Sequence, residues 1–150
     1  MTRIRLLWLA LLLPLGGNAW ALCKDGSPNL SLTQEMSEAR LVVIARPQAF
    51  TRIRDMADDP DGYVATRVRL SVDEVLYAKA PNRPRRGQID IVEPNTSARF
   101  GLDERDTGKS YLLFVYEGED VYWINACGHS GELIKSRATL RQVRRAVGQP

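Results

Sequence analysis

"SYLLFVYEGEDVYWINACGHSG", residues 110 to 131, decides how this chain is built. Its first seven residues are apolar on both faces of a strand, as expected of a strand in a closed barrel or a covered sheet. "EGED" then makes a turn and "VYWIN" supplies a partner strand. That strand runs directly into "ACGHSG", a Gly-rich turn that carries Cys127 and the single histidine, His129.

Working upstream, "YVATRVRLSVDEVLY", residues 63 to 77, has the opposite texture. Val64, Thr66, Val68, Leu70 and Val72 alternate with Ala65, Arg67, Arg69, Ser71 and Asp73, which predicts one buried face and one wet face. "LVVIA", residues 41 to 45, is β-branched and continuous, a buried strand too short for a core helix. Pro47 belongs at a bulge or an edge, and "AFTRIR" resumes the strand. "QIDIV" is a short alternating strand, followed by a polar loop over residues 93 to 108 with Gly101 and Gly108. Two helices flank these strands. Ser31 and Gln34 form an S-x-x-Q capping box, and Leu32, Glu35, Met36 and Ala39 allow about two turns. Leu140, Val143 and Val147 recur at helical spacing, predicting a helix over 137–147 with Arg137, Arg141, Arg144 and Arg145 on its surface.

The N-terminus reads as a signal peptide over residues 1–21. Arg3 and Arg5 precede an apolar run from Leu6 to Leu15, and Ala19-Trp20-Ala21 places small residues where a signal peptidase reads. The run is too short for a membrane span, which needs about 20 apolar residues. A lipidation reading competes because Cys23 lies close to the cut, but Leu22 occupies the position that lipidation sites give to a small residue. Removing the first 21 of the 150 residues leaves 129, enough for one domain with its own core. It also lowers the net charge from +3 to +1, so overall charge gives no argument for nucleic acid or a membrane surface. From Lys135 onward the tail carries +5, which suits docking on an acidic domain. The expected location is periplasmic or extracellular. Two cysteines in an exported chain of this size favour a Cys23–Cys127 pair over two separate buried thiols, the competing reading.

Catalytic patterns are scarce. His129 has no H-x-x-x-H or C-x-x-C companion, so a metal site is poorly supported. Ser130 is its neighbour in sequence, and adjacent residues seldom meet in a productive Ser-His geometry. Asp73 and Glu74 fall on opposite faces of a strand, which excludes a carboxylate pair. There is no G-x-S-x-G, phosphate loop or dinucleotide fingerprint. Four aspartates in "DMADDPDG", residues 55 to 62, lack the glutamate and central glycine of an EF-hand loop and read as a solvated hairpin tip. Arg83, Arg85 and Arg86 lie in a Pro-rich loop without interleaved aromatics, so a solvated loop is favoured over nucleic-acid binding. No catalytic residue, metal or cofactor is expected.

The order is helix, three strands, long loop, two strands, helix, with a cysteine at each end of the barrel segment. With "EARLVVIARP", "YVATRVRLSVDEVLYAKAP", "TGKSYLLFVY" and "NACGHSGEL", the chain resembles the netrin-like, or tissue-inhibitor-of-metalloproteinases-like, superfamily in its small bacterial secreted form. The resemblance covers nearly all of residues 22–150. It implies a mainly β fold: a five-stranded OB-type barrel with a short N-terminal helix and a C-terminal helix, forming a single domain. It also implies that Cys127 clamps the N-terminal strap through Cys23. Fuller members carry a second bridge from a C-x-C head to the loop before the "YLLF" strand. Here Ala21 and the stretch from Ser97 to Gly101 offer no cysteine, so both halves of that bridge are missing together. In the animal inhibitors the amine and carbonyl of the first residue chelate the protease zinc. By that resemblance Leu22 and Cys23 are the inhibitory head, and a zinc metalloprotease is the sharpest partner. The expected function is an exported, non-catalytic protein-binding module. The alternatives are a structural or accessory cell-envelope domain whose basic helix touches anionic lipid or another protein, and, third, a periplasmic enzyme.

Overall fold

The computed structural model describes Cys23 and residues 27–54, 64–79, 87–96, 99–118 and 121–148. The expected signal peptide (1–21), Leu22, the acidic stretch 55–62 and Arg83, Arg85 and Arg86 lie outside the described residues.

The elements are α1 (Leu32–Glu38), β1 (Leu41–Ile53), β2 (Ala65–Ala78), β3 (Gln88–Pro94), a 3₁₀ turn (Glu104–Asp106), β4 (Tyr111–Glu117), β5 (Tyr122–Ile124), β6 (Gly131–Glu132) and α2 (Arg137–Ala146). The strand order β1-β2-β3-β5-β4 returns to β1, because Leu41–Ala45 pair with β2 on one side and with Tyr111–Val115 on the other. This closes a five-stranded barrel, and β6 adds a short pairing to the start of β4. All its ladders are antiparallel except β3–β5, whose only register pair is Ile91 with Tyr122.

Closure explains the two textures in the sequence. Leu41, Val43, Ala45, Val68, Leu70, Val72, Ile89, Ile91, Leu113 and Val115 fill the barrel interior. The other side chains of β1 and β4, Val42, Ile44, Leu112, Phe114 and Tyr116, form a second buried layer with Ala39, Leu76 and Val143. Leu32 and Met36 of α1 and Leu140 of α2 pack against it. Each such side chain contributes about 1.5–3 kcal/mol when fully buried. Strands β1 and β4 are therefore apolar on both faces because both faces are covered.

The capping box forms as its residues dictate. Ser31 Oγ accepts from the Gln34 backbone N–H at 3.3 Å, and Gln34 Oε1 accepts from the Ser31 N–H at 3.0 Å. No side chain caps α2. Packing holds it instead, with Val143 at 0% exposure and Arg144 donating to Glu74 at 2.9 Å. Arg137, Arg141 and Arg145 are exposed.

Bulges correct the simple alternation. Pro47 sits at one, where the register skips Gln48, and β1 runs on unbroken to Ile53. Two more lie in β2, where the register skips Leu76 and Asp73. An extra residue flips the side-chain parity of a strand. Leu76 thereby joins the outer layer while Val75 packs against the interior. For the same reason Asp73 and Glu74 do not take opposite faces of the sheet: neither enters the core, and each reaches its own arginine outside the barrel. At the start of β2, Val64 lies beyond the strand and is exposed, whereas Ala65 is buried. The expected polar loop also starts later than residue 93. Glu93 and Pro94 belong to β3, and Glu93 is only 4% exposed. Gly101 and Gly108 lie in the loop as expected, both at positive φ, 97° and 77°, which turns the chain before β4.

Candidate functional site

The strap ahead of β1 is tied to the turn after β5 at three successive places. Cys23 is disulfide-bonded to Cys127 across 104 positions of sequence. The Asn29 N–H donates to the Cys127 carbonyl at 2.9 Å. Glu35, in the first turn of α1, accepts from the His129 backbone N–H at 2.7 Å and lies 2.5 Å from His129 Nδ1, both through Oε2. The disulfide is consistent with an oxidising compartment, and among the described residues no helix is long and apolar enough to cross a membrane.

Glu35 is completely buried. A buried carboxylate needs hydrogen bonds in place of its water; the turn at 127–129 supplies them to Oε2, while Oε1 has no hydrogen-bond partner among the described residues. A Cβ on Gly128 would stand 2.0 Å from Glu35 Oε1 and 3.0 Å from Cδ, so only glycine lets the carboxylate lie against this turn. Phe114 packs near the His129 ring, centroids 6.1 Å apart, and the Phe114 N–H donates to Ser130 Oγ at 2.9 Å. Burial, reinforced by the charge of Glu35, pushes the Tyr116 hydroxyl far above the usual phenol range. Its ring stacks on Trp123 at 4.6 Å. The turn is thus fastened to α1, β4 and the strap at once.

Chemically this is a clamp. Glu35 orients His129 as the acid of a triad would, but no hydroxyl or thiol among the described residues bonds to that ring. Ser130, the sequence candidate, accepts from the Phe114 backbone. Asp73 and Glu74 are occupied by Arg46 at 2.7 Å and Arg144 at 2.9 Å. Among the described residues no group of three or more His, Cys, Asp or Glu is placed to hold a metal ion. Of the two residues expected to form the head, Cys23 is seated on the clamp and Leu22 is outside the described residues. Sequence reading missed Glu35, whose partner is 94 positions away. The one available signal was a carboxylate within the short apolar pattern of α1.

A second buried carboxylate, Glu93, sits at the end of β3. It accepts from the Gly101 N–H at 3.2 Å, and burial raises its pKa. The chain matches no protein-family model and no curated protein.

Proposed function

We propose that this chain is an exported, non-catalytic protein-binding module of netrin-like type, with its head at Leu22 and Cys23 and a zinc metalloprotease as the most specific partner. What supports the reading is the triple tie of the strap. Cys23, Asn29 and Glu35 all fasten to residues 127–129 on a closed, fully packed barrel. A head held in this way loses little freedom on binding, so more of its contact energy appears as affinity. The missing second bridge of the fuller family members is offset by the Glu35–His129 tie, which fastens the same strap without a cysteine.

The test compares three preparations against a panel of zinc metalloproteases: protein beginning at Leu22, protein with one added N-terminal residue, and Cys127→Ser. The expected outcome is inhibition by the first, loss of inhibition with the added residue, and a weaker effect of Cys127→Ser. An added residue displaces the amine from the chelating carbonyl without touching the fold. Equal inhibition by the first two moves the binding surface elsewhere. No inhibition by any of them removes the metalloprotease and favours the accessory envelope domain, for which the exposed Arg137, Arg141 and Arg145 of α2 are the supporting observation.

A further inference from the structure

Glu93 is the buried carboxylate that the clamp does not use. Its Oε2 accepts from the Gly101 N–H at 3.2 Å, and its Oε1, equally buried, has no hydrogen-bond partner among the described residues. Burial raises its pKa. The Gly101 and Leu102 N–H groups and the charge of Arg99 pull the other way, and Asp106 adds to the rise. Arg99 acts through space, without a hydrogen bond to the carboxylate. A buried carboxylate with an orphan oxygen weakens the fold, and such groups collect where a ligand completes the bonding.

A cavity of about 300 Å³ opens here, with Val92, Pro94, Phe100, Trp123 and Ile124 in its lining beside Glu93. Asn125 also lines it, but its Oδ1 is engaged by the Cys127 N–H at 2.9 Å. Each aromatic wall is held by another ring. Trp123 is stacked on Tyr116 at 4.6 Å, and Phe100 meets Tyr111 edge-on at 6.2 Å. Trp123 remains 39% exposed, a large ring surface left to solvent. These walls select a ligand. Aromatic faces attract a cation, which also supplies the charge that a carboxylate in apolar surroundings lacks. The orphan Oε1 needs a donor, which a quaternary ammonium does not offer. With Oε2 already engaged, only one acceptor is left, so the forked guanidinium of an arginine finds half its match. A primary ammonium on an apolar stem meets every condition.

We infer that Glu93, Trp123 and Phe100 form a binding site for a primary alkylammonium group, that of a lysine side chain on a protein partner. The ammonium bonds to Glu93 against the aromatic rings, and its methylene stem lies along Val92, Pro94 and Ile124. The inference deepens the protein-binding reading and rests on it, but its test needs neither the head nor a protease.

The probes are n-butylammonium chloride, an end-blocked Gly-Lys-Gly tripeptide, and the same tripeptide with norleucine in place of lysine. Trp123 is the only tryptophan after residue 21, so its fluorescence in protein beginning at Leu22 reports on the site directly. The expected result is a saturable change with millimolar butylammonium and lysine peptide, and none with the norleucine peptide. Glu93→Gln keeps the shape and removes the charge, and is expected to weaken binding about tenfold or more with unchanged circular dichroism. Phe100→Leu keeps an apolar wall without a ring face and is expected to weaken it about threefold. Binding is expected to fade as pH falls through the raised Glu93 pKa, because protonation removes the charge that holds the ammonium. In Glu93→Gln the residual binding has no such pH dependence. The inference is overturned by absence of a saturable signal with either amine, by equal binding of the norleucine peptide, or by full affinity in Glu93→Gln. Binding of butylammonium without the lysine peptide overturns the lysine assignment and gives the site to a free amine. Absence of protease inhibition with lysine binding retained breaks the metalloprotease reading alone, and the reverse result breaks this one alone.

Discussion

The two halves of the barrel's outer surface are built from different strands, apolar on both faces in one half and alternating in the other, and are treated in opposite ways. Over β1 and β4, Val42, Ile44, Leu112, Phe114 and Tyr116 lie under α1 and α2, and the clamp at 127–129 closes the end of that half. Over β2 and β3, Arg67, Arg69 and Asp90 lie on the outside, and among the described residues no helix packs over them. The covered half carries the stability and the fixed geometry. The bare half keeps polar side chains exposed. One side of this small domain can stay polar because the other side has two apolar layers.

The largest test of that division is Cys127→Ser. Releasing a link of 104 positions returns about 4–5 kcal/mol of loop entropy to the unfolded chain in the chain-entropy model. Calorimetry is expected to show a large fall in Tm, and exchange is expected to quicken over the strap at 27–30. An unchanged Tm would mean that Asn29 and Glu35 already hold the strap alone. Next comes Phe114→Ala, which empties the centre of the covered layer and costs about 3–5 kcal/mol. Urea unfolding checks it; a cost under about 1 kcal/mol would show that the helices are not anchored there.

Gly128→Ala tests the clamp alone. Its Cβ would collide with the Glu35 carboxylate, so a cost of about 1–3 kcal/mol is expected, with α1 loosened and β2–β3 untouched. Stability unchanged in urea would show that the carboxylate has room to move. Glu93→Gln tests the seam where the halves meet. Burial raises the Glu93 pKa above 4.5, so the folded protein binds a proton that the unfolded chain releases. Glu93 therefore costs stability progressively as pH rises from 4.5 through its raised value, and the penalty persists above it. Glutamine is expected to raise Tm at pH 7 and to bring little gain at pH 4; an equal gain at both pH values would remove the titration argument. The smallest effect belongs to the bare half. Arg67→Ala is expected to change stability by no more than about 0.5 kcal/mol, and a larger loss would show that this face is part of the packing.

What the sequence by itself determined was whatever short-range pattern can encode. The apolar run of "SYLLFVY" against the alternation of Val68, Leu70 and Val72 separated covered strands from half-wet ones, and Ser31 with Gln34 marked where α1 begins. Two cysteines behind a signal-peptide pattern sufficed to expect the bridge that Cys23 and Cys127 form. Tertiary structure decided the rest. The bulges at Asp73 and Leu76 depend on how β1 must curve to meet both β2 and β4, and no residue of β2 announces them. Glu35 and His129 are ordinary residues 94 positions apart, and neither makes sense until the strap is folded back on the barrel. Periodicity reports which face of an element is buried; which distant groups share that burial is fixed only when the chain closes on itself.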